Sequence, residues 1–111
     1  MDNIKNDSYY VQKIIKDAAF VVEKTAGLTV EELKTDEVLC DSVMFRLIQI
    51  AENSARLTEE YKVQNRDIPW NAIRGMRNRI VHDYGDVDMG IVYHTATVDI
   101  RNLVEKLKNI L

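Results

Sequence analysis

Apolar side chains along this chain return every three or four positions, and they do so in four successive runs. From Ser8 to Ala26 they fall at Val11, Ile14, Ile15, Ala18, Val21 and Val22, the buried stripe of a first helix. Gly27 supplies its stop, and Thr29 with Glu32 reads as a capping box that opens a short turn of helix through Leu33. Thr35 or Asp36 then caps a long helix. Its apolar positions Leu39, Val43, Met44, Leu47, Ile48, Ala51, Ala55 and Leu57 hold the helical period, which predicts a helix to about Tyr61. The polar stretch from Val63 to Ile68 breaks the pattern. Pro69 fits the first position of a third long helix, where its missing N–H costs nothing; Trp70, Ile73, Met76, Ile80 and Val81 form the stripe, and Tyr84 and Gly85 close it. The last stretch, Val87 to Leu111, carries Ile91, Val92, Val98, Leu103, Val104, Leu107 and Ile110. With a bend expected around His94 to Thr97, it reads as one broken helix or two consecutive ones. Short joins between four main helices predict an all-α fold, an antiparallel bundle of four to five helices, as a single domain over 1–111.

Composition agrees with helix rather than sheet: aliphatic residues outnumber aromatics, one proline interrupts the whole length, and 30% of residues are charged. A chain of 111 residues can bury a core without metal or disulfide staples. The lone Cys40 has no partner within the chain, and no CxxC or Cys/His cluster offers a zinc site, so a reducing compartment, the cytoplasm, is expected. Met1 to Tyr10 lacks the charged-then-apolar pattern of an export signal. No apolar run approaches the roughly 18 to 20 residues that span a bilayer, so no membrane association is expected. The net charge of −3 argues against a protein that coats nucleic acid indiscriminately, because such binding runs on phosphate neutralisation by Lys and Arg. A site for RNA must therefore be local. One such locality exists, since Arg66, Arg74, Arg77 and Arg79 stand against the single acid Asp67 between Arg66 and His82.

Within that locality, Arg77 and His82 are the residue types that metal-free RNA cleavage requires. The reaction needs a base to take the proton of a 2′-OH and a cation to neutralise the charge developing on phosphorus. A guanidinium stays charged and grips two phosphate oxygens at once, while an imidazole titrates near neutral pH unaided. The acidic residues are scattered and form no clustered metal site, so a metal-independent reaction without cofactors is expected. On a regular helix the two positions differ by a rise of about 7.5 Å and a rotation of about 140°. They are not face-mates. They share a cleft only if the Arg side chain swings over, the helix end relaxes, or a second subunit closes the site. Asn78 lies one i,i+4 step before His82 and can orient its ring.

The same spacing arises by chance in roughly one chain in eight of this composition, so the bare pattern is a weak motif. The bland alternative makes His82 a helix-end residue favoured by the macrodipole and the arginines a solvated face. Trp70 can stack a base, yet a core or interface anchor is the more usual role at a helix start. Cys40 is expected to pack as a small apolar residue and not as a nucleophile. Asp83 either tunes the histidine or faces water, Tyr9 and Tyr10 divide between core and surface, and His94 has no assigned role.

The run Ile68-Pro69-Trp70-Asn71-Ala72-Ile73-Arg74-Gly75-Met76-Arg77-Asn78-Arg79-Ile80-Val81-His82-Asp83-Tyr84 resembles the R-x4-H-x-Y stretch of HepT-like toxins of the HEPN superfamily. Phe45 to Leu57 resembles that family's second helix, and Asp88 to Leu111 has the usual length and pattern of its tail. The resemblance implies a helical homodimer in which the motifs of two subunits line a shared cleft. It implies a metal-independent RNA endonuclease, the toxin component of a type II/VII-like toxin–antitoxin system. Arg77 and His82 would be catalytic, Asn78 and Asp83 supporting, and Arg74 and Arg79 candidates for RNA binding. A minimal nucleotidyltransferase antitoxin would transfer AMP from ATP to Tyr84, blocking RNA by charge repulsion and occlusion. The alternatives are a non-catalytic nucleotide- or partner-binding subunit of a two-component nucleotidyltransferase, and a purely structural helical dimer.

Overall fold

Asn6 starts the first helix by accepting the Tyr9 N–H on its side chain, and α1 (Asp7–Thr25) follows. The computed structural model describes residues 6–110, without the side chain of Ile110. The stripe position expected at Ile110, the end of the last stretch at Leu111, and the reading of the first five residues therefore lie outside what is described. Val11, Ile14, Ala18 and Val21 of α1 are fully buried, with Ile15 and Val22 packed partly against them. Gly27 ends the run at φ +78, a conformation that side-chain-bearing residues rarely adopt. The expected capping box opens α2 (Val30–Thr35): Glu32 N–H donates to Thr29 Oγ1 at 3.1 Å, and Thr29 N–H donates to Glu32 Oε1 at 2.8 Å. Asp36, and not Thr35, caps α3 (Glu37–Ala55) by accepting the Leu39 N–H.

The long second helix stops at Ala55 and does not reach Tyr61. Thr58 interrupts it. Its N–H and hydroxyl donate to the Asp7 carboxylate at 2.9 and 2.7 Å, and its own oxygen accepts the Tyr61 N–H to open α4 (Glu59–Gln64). With its amide committed to α1, Thr58 cannot extend the α3 ladder. Leu57 is buried all the same, so the apolar period outlasts the helix. α4 takes up the last residues expected of that helix and runs on to Gln64, just into the stretch the pattern had left as a polar break.

Pro69 precedes α5 (Trp70–His82), which ends two residues short of Tyr84; Gly85 follows at φ +104. The last stretch is helical throughout as α6 (Met89–His94), a π-helical segment Thr95–Asp99, and α7 (Ile100–Ile110). The expected bend is this widened turn. Thr97 Oγ1 donates to the Tyr93 carbonyl at 2.8 Å, the kind of side-chain competition that loosens a helical ladder. The shift in phase leaves Ala96 buried and turns Val98, expected in the stripe, out to solvent.

α1 packs against both α3 and α7, with Ile14, Val43, Ile50 and Leu107 in the core, and α5 lies along α3. Each of these fully buried aliphatic side chains contributes roughly 1.5–3 kcal/mol. α5 is the shallowest of the long helices: Ile80 is its one fully buried side chain, with Trp70, Ile73 and Met76 half buried. Much of its circumference thus faces solvent. Among the described residues no helix is long and apolar enough to cross a membrane.

Candidate active site

The half-buried stripe of α5 turns Arg77 toward α3. Its Nη2 lies 3.4 Å from Glu52 Oε2 and its Nη1 donates to Asn78 Oδ1 at 3.1 Å, while Nε is enclosed and has no partner. The Arg77–Glu52 pair is partly exposed, with side chains 32% and 44% accessible, so it fixes orientation more than it adds stability. Arg77 stands on the wall of a groove of about 840 Å³ between α4 and α5, which Lys62, Arg66, Trp70, Arg74 and Asn78 also line. Four cations, Lys62, Arg66, Arg74 and Arg77, face two acids there, Glu52 and Glu59. Lys62 pairs with Glu59 at 3.7 Å and Arg77 with Glu52, so among the described residues Arg66 and Arg74 have no ion-pair partner. This is the local positive surface that the net charge of −3 conceals.

His82, the last residue of α5, is exposed and borders neither this groove nor the second one described below. Its imidazole makes no hydrogen bond or ion pair among the described residues. Asn78, expected to turn toward His82, instead gives its amide oxygen to Arg77. Asp83 is exposed and caps α5 through its backbone, donating its N–H to the Arg79 carbonyl at 2.8 Å. The arginines expected to act together are split. Arg74 shares the groove of Arg77, whereas Arg79 lines a second, mainly apolar groove of about 620 Å³ with Ile73, Met76, Ile91, His94 and Ile100. Neither of these two grooves therefore brings Arg77 and His82 together.

Tyr84 is 59% exposed, yet its hydroxyl donates to Asp41 Oδ1 on α3 at 2.5 Å. That hydrogen bond first, then desolvation and the negative charges of Asp41 and Glu37, push the phenol's pKa above its ordinary value. Cys40 is buried with its thiol 3.8 Å from the Met89 sulfur; burial, then Asp41, Asp36 and Glu37, raise its pKa, which suits packing and not nucleophilic attack. Trp70 packs against the core beside Tyr61 and donates its indole N–H to the Asn65 carbonyl at 3.2 Å, while still lining the α4–α5 groove. His94 is exposed, with Nδ1 3.7 Å from Asp99 Oδ2.

Glu52 and Asp41 are the site neighbours that the sequence did not single out. They stand 25 and 43 residues from their partners, and nothing in local spacing marks a carboxylate on a solvated edge of α3 as a ligand for α5.

A family model described as "Ribonuclease HepT-like" matches residues 14–110. The chain is 29% identical over 108 residues to a protein of Caldanaerobacter subterraneus subsp. tengcongensis named "Putative RNase", covering 97% of this chain and 96% of that one. It is 26% identical over 101 residues to a "Probable ribonuclease HepT" of Thermococcus cleftensis, covering 91% and 92%. A Methanocaldococcus jannaschii protein named "Gamma-glutamylcyclotransferase and putative RNase" is 27% identical over 107 residues; the match covers 96% of this chain and 48% of that longer protein. No solved structure matches.

Proposed function

The chain belongs to the HepT-like ribonuclease family, and on that premise we propose that it is a metal-independent RNA endonuclease whose catalytic pair, Arg77 and His82, meets across a homodimer. The observation that carries this reading is the Arg77 guanidinium. Glu52 and Asn78 hold it from two sides, and it lines a cationic groove with an enclosed Nε–H that has no acceptor. A bulk-exposed arginine would need no such fixing. A preorganised cation aimed at a groove is what a phosphoryl transition state rewards.

In the proposed reaction His82 takes the proton of a 2′-OH, the 2′-oxygen bonds to phosphorus, and the bond to the 5′-oxygen breaks. Arg77 neutralises the charge on the equatorial oxygens of the phosphorane. The departing 5′-oxygen takes a proton from solvent water, the exposed His82 returns its own to solvent, and the products carry a 2′,3′-cyclic phosphate and a 5′-hydroxyl. Because His82 lies about 140° around α5 from Arg77, the pair is completed by a second copy related by a twofold axis. The solvent face of α5 suits close approach: Ala72 and Gly75 are small and exposed, and a Cβ placed on Gly75 would meet no atom within 4 Å.

The regulatory part of the proposal is a toxin held in check in the cytoplasm by a minimal nucleotidyltransferase, which transfers AMP from ATP to the phenol oxygen of the exposed Tyr84, with pyrophosphate leaving and the phenol proton lost to solvent. Tyr84 follows His82 by two residues, so the added phosphate would repel RNA at the catalytic imidazole. The rival reading, a non-catalytic nucleotide- or partner-binding subunit, is favoured only by the position of His82 outside both grooves of one protomer.

Arg77→Ala and His82→Ala proteins should each lose RNA cleavage by about 10²- to 10⁴-fold while their helical circular dichroism stays unchanged. Cleavage undiminished in both would defeat the assignment. After incubation with the nucleotidyltransferase and ATP, intact-mass spectrometry should show one AMP on the wild-type chain and none on Tyr84→Phe.

A further inference from the structure

The α4–α5 groove extends well beyond Arg77, and two of its cations are not needed for the chemistry. Arg74 stands one turn before Arg77 on α5, about 60° around the helix, and Arg66 closes the far side from the α4–α5 connection. Both are exposed, and neither has an ion-pair partner among the described residues, whereas Lys62 and Arg77 are each paired with a glutamate. Two uncommitted guanidiniums facing one concavity, on a chain whose net charge is −3, form a focused site for an anion.

The remaining lining narrows the class of anion. Trp70 has its indole N–H committed to the Asn65 carbonyl, which holds the ring edge in place at the groove wall. Asn71 and Asn78 add side-chain amides, donors and acceptors of the kind that read the edges of unpaired bases. Guanidiniums for phosphates, an aromatic surface for a base face and amides for base edges together describe a single-stranded nucleic acid track. A simple phosphate ligand would make no use of the indole or the amides.

We propose that the groove between α4 and α5 binds the single-stranded RNA that flanks the cleaved bond, with Arg66 and Arg74 on its phosphates and Trp70 and Asn71 against an unpaired base. The proposal rests on the ribonuclease reading and adds the substrate-binding subsite to it. Substrate choice is then set at this groove, one to two turns of α5 before the catalytic arginine, and Arg66 and Arg74 act as binding residues and not catalytic ones.

The test uses the full-length His82→Ala protein, which retains the groove, and a fluorescent single-stranded RNA dodecamer followed by anisotropy across a salt series. Adding Arg66→Ala or Arg74→Ala should weaken binding about tenfold and make the dependence of log K on log salt shallower by about 0.7 per arginine. Lys108→Ala, on the exposed end of α7 and outside the groove, should change neither. A duplex of the same sequence should bind more weakly than the single strand. Equal affinity and equal salt slope in all three variants would overturn the groove assignment, even if the wild type cleaves RNA; that result would also leave the groove to an acidic protein partner. No RNA binding by the parent protein would overturn the groove and the ribonuclease reading together. Binding through the groove without cleavage by the wild type would contradict the catalytic reading alone.

Discussion

The Tyr84 hydroxyl is held by Asp41 while more than half of its side chain remains in water, so the end of the motif is tethered without being buried. Replacing the carboxylate with an amide removes both the strong acceptor and the charge that raise the phenol's pKa. Asp41→Asn should therefore lower the Tyr84 titration midpoint toward the ordinary 10.0, read by ultraviolet titration as the difference from Tyr84→Phe protein. An unchanged midpoint would mean that the tether does not form in solution. Because the folded-state value lies above the ordinary one, the stabilisation the tether contributes is lost as pH rises above about 10 and through the raised value. At this scale the sequence showed the motif residues but not what they touch. Arg77, His82 and Tyr84 stand out by type and spacing, whereas Glu52 and Asp41 become neighbours only when α3 packs beside α5.

The positions and faces of the long helices could be read from the chain because burial imposes a period, and the stripes at Val11 to Val21 and Val43 to Leu47 are the ones that became core. The breaks were less legible. Leu57 continues the apolar rhythm of α3, but the Thr58 amide bonds to Asp7 from the start of α1, 51 residues away, and no local pattern announces that bond. Asp7→Ala should cost about 1 kcal/mol of stability. In a domain of this size that is a fall of several degrees in Tm, measurable by thermal unfolding beside a Ser8→Ala control. Equal melting of the two variants would show that the α1–α4 bond does not fix this joint. The π segment at Thr95–Asp99 was foreseen as a bend; its kind depends on how the Thr97 hydroxyl competes for a carbonyl, which hydrophobic period does not encode.

Over the whole molecule, an acidic chain gathers four of its fifteen Lys and Arg residues along one groove, and its most exposed long helix presents small residues and the motif histidine to solvent. The charge and the motif could be read in advance. That Arg74 and Arg79 would face different grooves followed only from where α4 and α6 lie relative to α5, each across a groove from it. The angular separation of Arg77 and His82 makes a site shared between two copies the central claim. A twofold dimer whose sites each take Arg77 from one subunit and His82 from the other has a distinctive genetic signature. Mixing inactive Arg77→Ala and inactive His82→Ala proteins under subunit exchange yields mixed dimers with one intact site, and RNA cleavage should return to about a quarter of the wild-type rate. No recovery, with mixed dimers verified by mass, would place both groups in a single subunit's site and contradict the account.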